Sequence, residues 1–142
     1  MYFYIYNCNL NNDFKHNRFY LNDILIVNKK TFLGLSYEYI GRPSILSNPY
    51  THLELHKTKA KYKVNSRDEA IDKYREYLIY EIQNNNTEII NELYRLVEIV
   101  KNRTLILSCY CFPLRCHGEV IKEMIELILD LEKEENQLNE NV

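Results

Sequence analysis

Three cysteines and one histidine occur within nine residues near the end of the chain, at Cys109, Cys111, Cys116 and His117. Three thiolates and one imidazole form a ligand set that suits tetrahedral zinc. The spacing differs from the paired C-x2-C pattern of common zinc sites, and the side chains of adjacent residues such as Cys116 and His117 diverge from one another. A zinc site at these four residues is therefore one interpretation of the cluster.

The same residues can also be interpreted as a reactive thiol site. Cys116 is predicted at the start of a helix, where the dipole and the free backbone amides lower the pKa of a thiol. Arg115 would lower that pKa further, and His117 would serve as the acid–base partner. A third interpretation is that some of these cysteines are small buried core residues, as free cysteines often are. The sequence leaves the three interpretations open.

A second candidate segment runs from Gly41 to Tyr50 and contains two of the three prolines of the chain. Gly41 lets the backbone approach a ligand, and Arg42 offers a planar guanidinium to a phosphate or carboxylate. Ser44 and Asn48 add neutral hydrogen-bond donors, although the segment contains neither a GxxxxGK[ST] loop nor a GxGxxG fingerprint. We predict an anion site here; the alternative is a structured turn whose Arg42 pairs with a nearby acid.

A third segment opens a predicted helix. Ser66 and Glu69 have the spacing of a capping box, which predicts that a helix begins after Ser66. Arg67 then falls in the first turn, where the helix dipole disfavours a cation. We therefore predict that Arg67 points into the site and binds the same ligand as Arg42; the alternative is a solvated side chain. Tyr74 lies on the apolar face of this helix and is predicted to belong to the core.

Hydrophobic patterning predicts the elements that position these segments: strands at 2–6, 20–28, 35–40 and 104–109, and helices at 66–82, 88–101 and 118–133. Their order predicts one small α/β (or α+β) domain over residues 1–133, with a mixed, mostly parallel sheet of about four strands packed against three helices. We expect a mobile flap at 51–65 and a frayed acidic tail at 134–142.

The two candidate segments each follow a predicted strand. If strands 35–40 and 104–109 are parallel neighbours, both segments meet at the carboxyl edge of the sheet, where ligands bind in such folds.

Composition limits the partners and the compartment. The net charge is −2 and no basic block is present, which argues against a duplex nucleic acid partner. No stretch approaches the roughly 18 apolar residues of a membrane helix, and the N-terminus lacks a signal peptide pattern. We therefore expect no membrane partner and a reducing, cytoplasmic location, where clustered cysteines are metal ligands or reactive thiols rather than disulfides.

Several short segments, in order, resemble a known family: YIGRPS at 39–44, SNPY at 47–50, SRDEAIDKYR at 66–75, LSCYC at 107–111 and CHGEV at 116–120. The family has the pattern GRPS…GNPF, SR.EA…YR and C.C.P…CH.DVL. It consists of small proteins, mainly phage-encoded and also bacterial, catalogued as a domain of unknown function. The resemblance covers about residues 24–130 and leaves 1–20 as an extension outside the family.

Two positions depart from the family pattern. Ser47 replaces the glycine of GNP, and Glu119 replaces the aspartate after the CH pair. The family has no settled activity to carry over. Its phage-type distribution implies a role in host takeover, nucleotide metabolism or counter-defence, acting in the host cytoplasm.

These observations predict a protein that binds a nucleotide or nucleotide-derived anion between the Gly41–Asn48 loop and the Cys109–His117 turn, and leave open whether it also processes that ligand. Cys116 and His117 would be the catalytic pair, and Gly41, Arg42, Ser44, Asn48 and Arg67 would bind the ligand. The alternatives are an interaction module with a structural zinc knot, and a binder that sequesters a signalling nucleotide. Homo-oligomerisation is left open.

Overall fold

The computed structural model describes residues 22–140. The predicted strand at 2–6 and the extension at 1–20 lie outside the described residues. The strands are Ile24–Asn28 (β1), Glu38–Tyr39 (β2), Tyr50–Thr51 (β3), Tyr62–Lys63 (β4) and Leu105–Cys109 (β5). The helices are Arg67–Gln83 (α1), Thr87–Asn102 (α2) and Gly118–Glu140 (α3), and Leu55–Lys57 forms a short 3-10 turn.

The main sheet is parallel and has the strand order β1-β5-β2. β5 is the central strand, and its apolar run is almost fully buried, as the middle strand of a helix-covered parallel sheet requires. β3 and β4 form a separate parallel pair. The α/β class and the three helices are therefore confirmed, with about four expected strands observed as three plus two.

The helices begin where their capping residues predict. Ser66 Oγ accepts a hydrogen bond from the Glu69 backbone N–H at 3.1 Å, and the Glu69 carboxylate accepts from the Asn65 N–H at 2.8 Å. Asn86 caps α2 in the same way through Ile89. These bonds satisfy amides that have no partner within the helix, so they fix the first residue of each helix.

The core lies between the sheet and the helices. The apolar residues of α2 recur every three or four positions and are buried: Ile89, Ile90, Leu93, Leu96, Val97 and Val100. Tyr74 is fully buried as well, which confirms the prediction that it belongs to the core. No helix within residues 22–140 is both long and apolar enough to cross a lipid bilayer.

Two boundaries differ from the sequence-based expectation. α3 does not end near residue 133 but continues to Glu140, because Glu, Gln and Leu in the expected tail are good helix formers. Residues 51–65, expected as an irregular flap, contain part of β3, the 3-10 turn and β4. Backbone bonds from Lys61 to Pro49 and from Val64 to Thr51, both 2.8 Å, fasten this segment to the end of the Arg42 loop.

Candidate functional site

The two candidate loops meet at the carboxyl edge of the main sheet. β2 and β5 are parallel neighbours with Tyr39 beside Ser108, and the Ile40 N–H donates to Ser108 O at 3.0 Å. The chain after β2 and the chain after β5 therefore leave the sheet side by side, as expected. A cavity of about 640 Å³ opens there, lined among others by Gly41, Arg42, Asn48, Arg67, Cys109, Cys111, Cys116 and His117.

Ser44 is the one predicted ligand-binding residue that does not line this cavity. Its hydroxyl oxygen is buried and has no hydrogen-bond partner among the described residues. The Ser44 backbone N–H instead closes a turn by donating to Gly41 O at 2.8 Å. The Ser44 backbone therefore shapes the loop, and the binding of ligand by its side chain stays a prediction.

Arg42 is half-buried and uses part of its guanidinium within the loop. Its Nη1 donates to Asn48 O at 3.0 Å and lies 3.5 Å from Tyr50 O. No described carboxylate pairs with it, so the alternative of an Arg42–acid turn is not what the structure contains. The remaining N–H groups of the fork are available to a molecule in the cavity.

The side chain of Asn48 forms hydrogen bonds with backbone groups. Its Nδ2 donates to Ala70 O at 3.1 Å, and its Oδ1 accepts from the Tyr50 N–H at 2.9 Å. The second bond is an Asx-turn, which asparagine favours because its side chain mimics a backbone group. Asn48 lines the cavity, but its main effect is to fasten the Arg42 loop to the start of α1.

Gly41 has a packing requirement rather than a conformational one. Its φ angle is not positive, but a Cβ at this position would clash with the Tyr39 hydroxyl oxygen. That hydroxyl donates to Arg42 O at 3.0 Å. A side chain at Gly41 would displace Tyr39 and with it the backbone of Arg42.

Arg67 faces the cavity from the first turn of α1, as predicted. Its Nη1 lies 3.4 Å from Arg115 O, and no described carboxylate pairs with it. Arg115 also lines the cavity but is neutralised, because it forms ion pairs with Asp68 at 2.8 Å and Glu119 at 3.2 Å. Arg115 is therefore not directed at the Cys116 thiol, contrary to the expectation from the sequence.

The charge around the cavity is strongly one-sided. The described residues that line it include five cationic side chains and no Asp or Glu: Arg42, Lys57, Lys59, Arg67 and Arg115. His52 and His56 also line this cavity, together with Tyr39, Tyr50 and Tyr110. Sequence reasoning missed Lys57 and Lys59; the only available signal was that the basic segment follows directly after the Pro49 turn.

The three cysteines of the cluster come together as free thiols. Their sulphur atoms all lie within 4.8 Å of one another, and Cys116 Sγ lies 2.8 Å from Cys109 Sγ. Cys109 ends β5, Cys111 lies in the turn and Cys116 precedes α3. Three thiolates at this separation could hold a metal ion such as zinc.

The pKa is lowered at Cys111 and not at Cys116, where the sequence predicted it. The thiols of Cys109 and Cys116 donate hydrogen bonds to the Cys111 sulphur, and Arg67 contributes, so the pKa of Cys111 falls well below its ordinary value. The same sharing of protons, together with burial, raises the pKa of Cys116. The expected lowering at Cys116 is wrong because a buried thiol beside a thiolate holds its proton.

His117 contacts Cys116 but is not part of the group of residues with metal-ligand spacing. Its Nε2 lies 2.7 Å from Ile40 O, and since a carbonyl can only accept, Nε2 carries the proton and Nδ1 faces Cys116 Sγ at 3.5 Å. Burial is the main reason why the pKa of His117 is lowered, so the ring is neutral. Only Cys109, Cys111 and Cys116 form the group with metal-ligand spacing among the described residues. The predicted set of four metal ligands is therefore reduced to the three cysteines.

Asn28 holds the cysteine turn and was not singled out by the sequence. At the end of β1, its Nδ2 donates to Phe112 O at 2.7 Å and Tyr110 O at 3.3 Å, and its Oδ1 accepts from the Lys30 N–H at 2.8 Å. A lone asparagine in an Asn-rich chain gives no local signal of such a contact. Asn28 and its two carbonyl partners lie far apart in the chain. They come together because β1 pairs in parallel with β5, so that the end of β1 lies beside the cysteine turn.

Replacing Asn28 by alanine is expected to loosen this turn. Loss of the two carbonyl partners should lower the free energy of unfolding by about 1 kcal/mol and expose Cys111, so that it alkylates faster at neutral pH. Urea denaturation and the alkylation rate measure the two effects. Asn91→Ala, at an exposed position of α2, is the matched control. An Asn28→Ala protein with the alkylation rate of the wild type would contradict this role.

The comparisons with known proteins give a family and no function. A search of curated proteins and a search of solved structures found no match. The family model described as a domain of unknown function, DUF4326, matches residues 27–127. This range contains both loops, the start of α1 and the cysteine cluster, in agreement with the resemblance seen in the sequence. The chain therefore belongs to the DUF4326 family of domains of unknown function.

Proposed function

We propose that this protein binds a small anionic ligand, a nucleotide or nucleotide derivative, in the cavity between the Arg42 loop and the cysteine turn. The observation that carries the proposal is the charge of the cavity. Five cationic side chains and no Asp or Glu line it, in a chain whose net charge is −2. Arg115 is ion-paired, which leaves Arg42, Lys57, Lys59 and Arg67 without a described carboxylate partner. Charges of one sign in a concave site attract a ligand of opposite charge.

The two half-buried arginines are the main anchors. Arg42 and Arg67 have no described carboxylate partner, whereas Arg75, Arg95 and Arg115 are all ion-paired. A half-buried cation without a carboxylate partner attracts an anion more strongly than an exposed one, because the effective dielectric constant there is lower. The Cys111 sulphur beside Arg67 offsets part of the charge of that arginine, so Arg42 is the stronger anchor of the two. The planar guanidinium also matches the oxygens of a phosphate group.

The rest of the cavity suits a nucleoside. Its volume of about 640 Å³ is ordinary for a small-molecule site. Tyr39, Tyr50 and Tyr110 line it and present rings on which a base can stack, a contact that contributes roughly 1–3 kcal/mol per base. Inorganic phosphate would use the arginines alone, so a preference for AMP over phosphate measures the contribution of these tyrosines.

Arg67→Ala tests the proposal with little effect on the fold. Its side chain makes one long contact with Arg115 O and donates toward the half-buried Cys111 sulphur, so stability should change little, whereas loss of a charged hydrogen-bond donor should weaken AMP or ADP binding about 10- to 100-fold. Thermal shift and calorimetric titration with AMP, ADP and inorganic phosphate measure this. Ligand at 100 times its Kd should stabilise the wild type by about 2.7 kcal/mol.

The matched control for this experiment is Arg103→Ala. Arg103 is an exposed arginine at the end of α2 and does not line the cavity. It should bind the ligands as the wild type does. Equal weakening by both substitutions, or no stabilisation of the wild type by any of the three ligands, would refute a specific anion site.

Sequestration without turnover is the second candidate, and the state of Cys116 and His117 favours it. Cys116 keeps its proton, and His117 is neutral with its Nε2 fixed on Ile40 O. A pair arranged in this way is poorly suited to nucleophilic catalysis. Their assignment as a catalytic pair stays a prediction. Recovery of unmodified ligand after long incubation with the protein would support sequestration, and its conversion would refute it.

The biological setting belongs to the same proposal. The resemblance to mainly phage-encoded proteins suggests that the protein acts in the host cytoplasm, where a nucleotide binder could serve host takeover or counter-defence. Free thiols in the cluster suit such a reducing compartment. Expression in a host that signals with nucleotides tests this: the wild type should lower the free pool of the signalling nucleotide and Arg67→Ala should not.

A further inference from the structure

The sulphurs of the three clustered cysteines lie close together although the residues belong to three different parts of the fold. Cys109 ends the central strand, Cys111 lies in the following turn, and Cys116 immediately precedes His117 and α3. Their sulphurs lie within 4.8 Å of one another although the turn between them could have placed them apart. Packing alone does not explain this arrangement, because Cys111 is only half-buried while its sulphur still points at the other two.

We propose that Cys109, Cys111 and Cys116 bind one zinc ion through three thiolates, and that the fourth position of the ion faces the anion cavity and takes a donor atom of its occupant. Zinc–sulphur bonds of about 2.3 Å place tetrahedral sulphur ligands about 3.8 Å apart. The observed limit of 4.8 Å includes this value, and the 2.8 Å contact between Cys116 and Cys109 needs to open by about 1 Å.

Each sulphur has an N–H donor that favours a thiolate ligand. The backbone N–H groups of Cys111 and Phe112 donate toward Cys109, and the Gly118 N–H donates to Cys116 Sγ at 3.3 Å. Arg67 donates toward Cys111. Such outer hydrogen bonds orient metal ligands and stabilise their charge, and they recur around metal sites. These N–H donors interact with all three sulphurs, including those of the two buried residues, Cys109 and Cys116.

The charge and the chemistry of the centre are balanced. Three thiols release three protons to the buffer as three zinc–sulphur bonds form, and no electrons are exchanged. The resulting centre carries a formal charge of −1, which Arg67, donating toward Cys111, partly offsets. Soft thiolate ligands favour zinc over hard cations such as magnesium or calcium.

The fourth position is what separates this centre from a structural knot. Structural zinc sites have four protein ligands, whereas sites that act on a ligand keep one position for it. His117 is turned to Ile40 O, and no described residue joins the group of three. All three cysteines line the cavity that also contains Arg42 and Arg67. That the fourth ligand is an atom of a bound anion rests on the proposed function; the three-thiolate centre does not.

Metal analysis of the full-length chain tests the centre directly. Protein purified with reductant and without chelator should contain about one zinc per chain, which chelation removes and added zinc restores. Cys109→Ser, Cys111→Ser and Cys116→Ser should each weaken zinc binding more than about 100-fold, beyond the ~10- to 100-fold effect of losing an outer partner. Cys8→Ser tests the remaining cysteine of the chain as a possible fourth ligand; it should retain the zinc.

Cobalt replaces zinc to test the fourth position without any variant. The wild type loaded with Co²⁺ should show thiolate charge-transfer bands and the visible bands of a tetrahedral ion. Azide, a small ligand for an exchangeable position, should shift the visible bands, and AMP should shift them if the anion contacts the metal. Circular dichroism checks that the serine variants are folded, and the wild-type results hold whether they fold or not.

The outcomes separate the centre from the anion site. Reduced protein that binds no stoichiometric zinc, or an obligatory Cys109–Cys116 disulfide, overturns the centre. Loss of zinc in Cys8→Ser, or cobalt bands that azide does not shift, overturns the open position. Zinc bound with no response to AMP, ADP or phosphate leaves the centre standing and refutes the proposed function; the reverse result refutes the centre alone.

Discussion

Tyr74→Ala is expected to lower the free energy of unfolding by about 3–5 kcal/mol, the range for truncating a large buried aromatic side chain. Tyr74 is fully buried in α1, and its ring meets His117 edge-on at 5.0 Å between centroids. Its hydroxyl donates to Leu46 O at 2.7 Å. Removing the side chain leaves a cavity and an unpaired carbonyl, and it frees the loop that carries Arg42. Weaker ligand binding should accompany the loss of stability.

Tyr74→Phe separates the two parts of this effect. It keeps the ring and removes only the hydroxyl, so Leu46 O loses its donor at a cost of about 1–3 kcal/mol. Tyr80→Phe, in the same helix but 60 % exposed, should change stability by less than about 0.5 kcal/mol. Chemical denaturation measures all three variants. If Tyr74→Phe and Tyr80→Phe were equally stable, the hydroxyl would not be what fixes the loop.

Arg42→Ala is expected to lose both stability and ligand. Its Nη1 bonds to Asn48 O and Tyr50 O hold the loop closed, and without them the free energy of unfolding should fall by about 1–3 kcal/mol. The affinity for AMP should fall by about 100-fold or more, because the guanidinium and the geometry of the loop are lost together. Thermal unfolding in the absence of ligand and calorimetric titration measure the two losses separately.

Arg42→Lys shows which property of the side chain matters. Lysine keeps the charge but lacks the planar fork that can bond to the loop and to a phosphate at once. It should recover less than half of the lost binding free energy. Arg67→Ala provides the comparison, since it should weaken binding at nearly unchanged stability. If Arg42→Ala were less stable but bound AMP normally, Arg42 would be a loop residue and not an anchor.

Local signals in the sequence were sufficient for the elements. The apolar spacing of α2, the Ser66–Glu69 capping pair and the apolar run of β5 each depend on residues close in the chain, and all three appear as expected. The Gly41–Asn48 loop and the Cys109–His117 turn each follow a strand. Their positions were also sufficient to place the site, because parallel strands bring their carboxyl ends to one edge of the sheet. The length of α3 was misjudged because charged residues form a helix as readily as a solvated tail.

The roles of individual site residues depended on partners far away in the chain. Asn48 lines the cavity, but its side chain bonds to Ala70 O, and Ser44 does not line the cavity. Lys57 and Lys59 became part of the site only because backbone bonds at Pro49 fold their segment back. A polar side chain can satisfy either a ligand or the backbone, and the sequence does not contain the distance that decides between them.

The sequence by itself determined the α/β class, the family, the two loops and the presence of a cysteine-rich turn. Only the tertiary structure decided that Cys111, and not Cys116, carries the thiolate character, and that His117 belongs to Ile40 rather than to a metal set. The physical reason is that helix position predicts one contribution to a thiol's acidity, whereas burial and neighbouring thiols contribute more here. Those contributions arise when β5, the turn and α3 pack together.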